Sequence, residues 1–250
     1  MQKIHERSIS REIFSVLYAP APLAVRADGR SFKKLLEGRA KPYDIDFARS
    51  MVRVTESIFS DSGLAPSLAF TFSDEVSLIY LRTPLAGRVE KIDSLVAGYL
   101  SAALSLEQVR LLTMDCRTIP ICRDEIIRYL VERQNETWRN HIFSYGFYML
   151  RKEGLNPAQA MERLRGQSEP QIHEFVFQKG INLAKTPAWE RRGVLICRKD
   201  GKLESDWNLP LFSSVEGSIF LEEILGTTSA KFHVLADRRS TSHMRDNFFA

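Results

Sequence analysis

"SLAFTFSDEVSLIYL", Ser67 to Leu81, is the stretch on which the fold turns. Leu68, Phe70 and Phe72 fall on every second residue, the period of a half-buried strand. An apolar run, "VSLIYL", resumes after only "SDE", so the two runs read as a β-hairpin. Upstream, "PLAVRA" reads as another strand. From Asp44 to Ser60 the apolar residues Phe47, Ala48, Met51, Val52, Ile58 and Phe59 form the stripe of an amphipathic helix. Downstream, Ile92, Leu95, Val96, Tyr99, Leu100, Ala103 and Leu104 mark a second helix, and "LLTMDCRTI" a fourth strand. The order is β-α-β-β-α-β, the split βαβ arrangement of ferredoxin-like folds. It predicts an α+β protein in which two helices cover one face of a four-stranded antiparallel sheet.

After Cys122 the texture changes. A long helical stretch runs from about Arg123 to Glu153. "NPAQAMERLRG" offers Asn156 as an N-cap, Pro157 in the first turn and Gly166 as a left-handed C-cap. "PQIHEFVFQKG" reads as a short helix closed by Gly180, and "GVLICRK" as a strand. The expected division is 1–121, a catalytic sheet-and-helix domain, and 122–250, a mainly helical region packed on it. The stretch 201–235 has no functional reading, and "ADRRSTSHMRDNFFA" reads as a polar tail with an apolar end.

With 44% apolar residues, the 250-residue chain has enough to build a packed core. No apolar run approaches the roughly 20 residues that span a bilayer. The charged start "MQKIHERSISREIF" lacks the apolar run of a secretion signal, so a cytoplasmic protein is expected. Cys116, Cys122 and Cys197 form no C-x-x-C pair and read as reduced thiols. The net charge of +4 is concentrated: residues 117–200 carry 15 Lys and Arg against 10 Asp and Glu. Such a surplus suits a phosphate-rich partner, and a solvated helical surface would produce it too.

"VRADGRSF", Val25 to Phe32, ends a strand in Asp-Gly between two arginines. Asp-Gly is a common turn dipeptide. It could also place a metal-binding carboxylate at a strand end, flanked by cations that suit a phosphate. In a split βαβ sheet the first strand lies beside one strand of the hairpin, so Asp28 and Asp74 can meet at a shared edge. Carboxylates converging there repel each other and need a cation, for which the hard ion Mg²⁺ is suited. Two such ions about 3.5–4 Å apart form the clamp of nucleotidyl transfer. His141 and His173 belong to no ligand spacing and read as packing or RNA-surface residues. No P-loop is present, so a triphosphate would have to be held by side chains and metal.

"VRADGRSF", "AKPYD", "FSDEVSLIY", "MDCRTIP", "ERQNETWRN", "ERLRG" and "KGINLAKTPAWERRG", in that order over residues 20–197, resemble the tRNA-His guanylyltransferase family. The resemblance implies a catalytic domain like the palm of polymerases, which agrees with the β-α-β-β-α-β reading. It also implies addition of nucleotides to the 5′ end of tRNA in the 3′-to-5′ direction. Asp28 and Asp74 match the family's metal carboxylates, Gly29 the residue whose carbonyl also meets metal, and Glu75 the acid beside them. Ser73 precedes them as in the family. Arg26, Arg30, Ser31, Phe32, Ala40, Lys41 and Asp44 fall at nucleotide-binding positions. Lys41 lies near the triphosphate, and Ala40 and Asp44 read the base. Arg88, Lys91 and Arg117 match basic residues around the triphosphate and RNA 5′ end. Arg133, Arg139 and Asn140 fall in the family's helical RNA-binding frame.

Two departures refine the resemblance. "WRNH", Trp138 to His141, stands where eukaryotic members have His-Ile-Asn-Asn, and "IHE", Ile172 to Glu174, replaces a Lys-Asn-Glu motif. Both resemble the guanylyltransferase-like branch, which repairs 5′-truncated tRNAs by template-dependent 3′-5′ polymerisation. The implied chemistry uses two Mg²⁺ ions and activates the RNA 5′ end with ATP or GTP. The 3′-hydroxyl of an incoming NTP then attacks the 5′ α-phosphorus. The implied assembly is a homotetramer built as a dimer of dimers. The alternatives are strict addition of one G to tRNA-His, a palm enzyme such as a cyclase acting on free NTPs, and a non-catalytic RNA-binding module.

Overall fold

A computed structural model of the chain describes residues 12–30, 32 and 35–226. Ser31 and the tail after Ala236 lie outside the described residues. The β-α-β-β-α-β order is present as β1 (Leu23–Arg30), α1 (Ile45–Ser60), β2 (Leu68–Phe72), β3 (Glu75–Tyr80), α2 (Val89–Gln108) and β4 (Thr113–Pro120). Then follow α3 (Glu125–Lys152), α4 (Pro157–Leu164), α5 (Glu169–Gln178), α6 (Ala188–Arg192), β5 (Val194–Lys199) and β6 (Lys202–Asp206). Residues 215–226 are helical and are called α7.

The sheet has six strands in the order β4-β1-β3-β2-β5-β6, every neighbouring pair antiparallel. The expected sheet of four strands is thus too small. The late strand "GVLICRK" joins β2, and a sixth strand follows it. That sixth strand has a plain local cause. Asp200 and Gly201 both have positive φ, 50° and 85°, the requirement of the tight type I′ hairpin turn. Lys199 and Lys202 close the ladder across it.

One face of the sheet is covered by α1 and α2. Val25, Ala27, Val76 and Leu78 meet Met51, Ile58, Ile92, Val96 and Leu100 there in a single buried cluster. The other face, carrying Ala24, Phe70, Ile79 and Leu195, packs against Ile126, Tyr129 and Leu130 of α3 and against Leu209, Phe212, Leu221 and Ile224. Strand side chains alternate between faces, so the β1 residues that share the α3 side with Ala24 are Arg26 and Asp28. Beyond the sheet, α3 continues into a third apolar cluster with α4, α5 and Leu183. Asn156 caps α4 in a reciprocal box with Gln159, and Gly166 and Gly180 follow their helices at positive φ.

Candidate active site

The site forms where β1, the β2–β3 turn and α3 meet. Asp28 is in register with Glu75 of β3 on one side and with Asp115 of β4 on the other. The Asp28-Gly29 dipeptide does not turn; both residues are within β1. Ser73 and Asp74 form the two-residue turn between Phe72 and Glu75. Ser73 has φ 51° there, a conformation uncommon for a residue with a side chain. Its hydroxyl donates to Asp74 Oδ1 at 3.0 Å, and Gly29 N donates to the Asp74 carbonyl at 3.2 Å. The turn is therefore tied to β1 directly beside Asp28.

A cleft of about 410 Å³ opens over this edge, and Arg26, Asp28, Asp74, Glu75, Arg133 and Asn140 are among the residues that line it. Burial first, and then the charge of Asp28, raises the pKa of Asp74. Burial also raises that of Glu75, although Arg133 and Arg26 pull it down. Glu75 Oε2 lies 3.4 Å from Arg133 Nη1, and the Arg133 guanidinium sits over the Tyr129 ring at 5.9 Å. Tyr129 in turn hydrogen-bonds Ser77 at 3.0 Å. Glu75 is thus partly spoken for by an arginine. Both side chains are about a fifth exposed, so Arg133→Met leaves a mostly buried carboxylate without its cation. The expected cost is about 2 kcal/mol, reduced from the roughly 3–5 kcal/mol of a fully buried pair. It should appear as a fall in melting temperature that Glu75→Gln in the same variant largely reverses.

Among the described residues, no three His, Cys, Asp or Glu side chains gather at metal-ligand spacing. Two carboxylates on neighbouring strand ends do fit Mg²⁺, which commonly takes one or two carboxylates and completes its shell with water and substrate phosphates. The raised Asp74 pKa is the electrostatic sign of that pair: bringing a cation between the acids relieves both the burial cost and the repulsion.

A second, more apolar cavity of about 180 Å³ adjoins the cleft, sharing Tyr43, Phe72, Ser73 and Ser144 with it. Ala40, Lys41 and Asp44 line it together with Phe47, Met51 and Tyr148. Asp44 is the N-cap of α1: its oxygens accept from Phe47 N at 2.9 Å and Ala40 N at 3.2 Å. Arg39 lies 3.5 Å away. These hydrogen bonds hold the Asp44 pKa low against its partial desolvation. Lys41 Nζ donates to the Leu36 carbonyl at 2.7 Å and stands over the Tyr148 ring.

The remaining expected residues divide clearly. Arg117 is in register with Arg26 and pairs with Asp115 at 2.7 Å; the charge of Asp28 also reaches it. Arg30 ends β1 at the same edge. Phe32 is 3% exposed and packs edge-on against Phe47, a core position. Arg139 is on the solvent side of α3, paired with Glu136. Arg88 and Lys91 are not brought to the acids. β3 runs antiparallel to β1, so the start of α2 stands at the Leu23 end of the sheet, opposite Asp28. Sequence reading missed Asp115, whose place follows only from the β1–β4 register, and the apolar wall of Tyr43, Tyr148 and Trp189.

His141 is fully buried, stacked on Tyr43 and on Trp138, with Nε2 3.0 Å from the Thr186 hydroxyl. Burial, and next the charge of Arg191, lower its pKa from 6.5 to about 4, against a hydrogen bond to the Glu190 backbone, which raises it. The unfolded chain therefore takes up this proton first. Stability is whole above pH 6.5 and falls as the pH drops toward 4, by up to about 3 kcal/mol. His141→Gln should flatten the dependence of melting temperature on pH over that window.

A sheet ordered β4-β1-β3-β2 with two helices on one face is the split βαβ core of a palm-like fold. Residues 7–123, just under half of the chain, match the family model "tRNAHis guanylyltransferase". tRNA(His) guanylyltransferase 1 of Arabidopsis thaliana is 27% identical over 207 residues, 76% of this chain and 36% of that protein. The chain thus spans about a third of that relative's length. The Schizosaccharomyces pombe tRNA(His) guanylyltransferase is 28% identical over 74% of this chain and 76% of its own. Among solved structures, a bacterial tRNA(His) guanylyltransferase-like protein in complex with ATP shares the fold with a TM-score of 0.73. It is 22% identical and covers 89% of this chain and 97% of its own. The Saccharomyces cerevisiae enzyme does so with a TM-score of 0.63 at 24% identity, over 75% and 89%.

Proposed function

We propose that the chain is a template-dependent 3′-5′ nucleotidyltransferase that adds nucleotides to the 5′ end of truncated tRNA. The observation that carries this reading is the joining of an acidic, arginine-flanked cleft to an apolar cavity of base-binding character. The cavity formed by Ala40, Lys41, Phe47 and Tyr148 takes the base of a nucleoside triphosphate. Asp28 and Asp74 face its phosphates. Asp28, Asp74 and the Gly29 carbonyl would hold Mg²⁺, which supplies charge neutralisation at the reacting phosphates and a lowered pKa for the attacking hydroxyl. Arg26, Arg117 and Arg133 set a positive field around the RNA 5′ phosphate. The Gly29–Asp74 and Ser73–Asp74 hydrogen bonds fix the carboxylate before substrate arrives, so the protein contributes position and fixed charge. In the reaction, a 3′-hydroxyl oxygen of the incoming nucleotide bonds to the 5′ α-phosphorus, and pyrophosphate or AMP leaves. A single 5′ G addition to tRNA-His is the second reading, favoured by the names of the relatives.

The same reading includes ATP or GTP as activating nucleotide, a cytoplasmic location and a homotetramer. Exposed Leu106, Val109 and Leu111 at the end of α2 support assembly. Among the described residues no helix is long and apolar enough to cross a membrane. Incubation with 5′-truncated tRNA, Mg²⁺ and each NTP in turn tests the proposal. Extension complementary to the template strand is expected. Addition of G alone, whatever the opposing base, favours the second reading, and no extension overturns both.

A further inference from the structure

Helix α3 separates two cavities. Arg133, Glu136, Asn140 and Ser144 line the acidic cleft. Gln134, Asn135 and Trp138 line another cavity, of about 350 Å³, shared with Ala184, Arg191, Arg192 and Leu211. At 3.6 residues per turn these two sets stand on opposite flanks of the helix. The second cavity is firmly built. Gln134, 2% exposed, accepts from Phe212 N at 2.7 Å and donates to the Pro210 carbonyl at 3.1 Å. This locks the 209–212 segment onto α3.

The two arginines are preset by backbone carbonyls. Arg191 Nε donates to Thr186 O at 3.0 Å and Arg192 Nη1 to Leu209 O at 2.7 Å. Among the described residues neither has a carboxylate partner. The adjacent acid, Glu190, takes the Tyr145 hydroxyl at 2.7 Å. Burial and the Arg192 charge lower the Arg191 pKa, so the pair is held together with its repulsion unrelieved. Adjacent guanidiniums with open donors suit a phosphate. The wall of Trp138, Ala184 and Leu211 suits a flat apolar group, and aromatic side chains are platforms for unpaired bases.

We infer that this cavity is a second RNA site, in which Arg191 and Arg192 hold a backbone phosphate and Trp138 packs against an unpaired base. The inference rests on the RNA-substrate reading above. Exposed Arg139 lies on the solvent side of α3 between the two cavities, along the path of a strand that enters both.

The test is the affinity for 5′-truncated tRNA, measured against salt, for wild type, Arg191→Gln, Arg191→Lys and Trp138→Leu. ATP and inorganic phosphate serve as separate probes. Arg191→Gln should weaken tRNA binding about tenfold and make the log–log salt slope shallower by about 1. Arg191→Lys should restore the slope. Trp138→Leu should weaken binding by about tenfold with the slope unchanged. The turnover rate at saturating tRNA and the affinity for ATP should hold throughout. Unchanged tRNA affinity and slope in Arg191→Gln, with wild-type extension intact, overturns this site alone. An equal loss for ATP or phosphate assigns the cavity to free nucleotide and also overturns it. Wild type that neither binds nor extends tRNA overturns the proposed function and this site with it.

Discussion

Asp28→Asn and Asp74→Asn should each lower nucleotide addition by at least about a thousandfold while leaving the protein folded. The size follows from the chemistry. Charge stabilisation by a bound metal is worth several kcal/mol, and each 1.36 kcal/mol is tenfold in rate. The stability expectation separates this from simple damage. Burial and the charge of Asp28 raise the pKa of Asp74, so in the free protein its negative charge is a cost. Asp74→Asn removes that cost, and the variant should melt at or above the wild-type temperature at neutral pH. Steady-state rates and a thermal melt on the same samples check both halves. An inactive variant that melts well below wild type would assign these acids a structural role instead.

Gly29→Ala should be the next most damaging change. A Cβ on Gly29 would lie 2.8 Å from Asp74 Oδ2 and 2.7 Å from two ring carbons of Phe32. Phe32 is a buried core residue held against Phe47, so the ring has little room to yield. The Asp74 turn must move instead, and it is the element fixed by the Gly29–Asp74 hydrogen bond. Misplacement of a catalytic group by about 1 Å costs on the order of a hundredfold. The expected result is that fall in turnover number with a smaller fall in stability, the usual 1–3 kcal/mol of overpacking. Wild-type turnover in Gly29→Ala would mean that the β1 edge tolerates a displaced Asp74. The melting of His141→Gln against pH and of the paired Arg133 and Glu75 variants reports on the frame around this edge.

The palm was readable because its elements are local. A period of 2 at Leu68, Phe70 and Phe72 and a stripe at Phe47, Met51 and Ile58 need only near neighbours to be seen. The meeting of Asp28 and Asp74 was readable one step further out, through the strand order that the split βαβ arrangement imposes. Asp115 was not, because its place depends on the exact β1–β4 register, which no local pattern specifies. Arg88 and Lys91 stand away from the acids for the opposite reason. Their chain position suits a phosphate site, but β3 carries the chain to the far end of the sheet before α2 begins. The two Asp-Gly pairs show the limit most sharply. At Asp200-Gly201 the dipeptide makes the tight hairpin turn its composition favours. At Asp28-Gly29 pairing with strands on both sides keeps the chain extended, and glycine is there for the room it leaves Asp74 and Phe32. The apolar cavity was legible only in part, since Tyr148 and Trp189 reach it from segments over a hundred residues beyond Asp44.

Titration of the protein with Mn²⁺ in the presence of a non-hydrolysable nucleoside triphosphate, followed by electron paramagnetic resonance of the free ion, probes the paired acids most directly. Saturable binding by wild type, weakened severely by Asp28→Asn and by Asp74→Asn alike, is the expected result. Equal uptake of the ion by wild type and both variants would contradict the account.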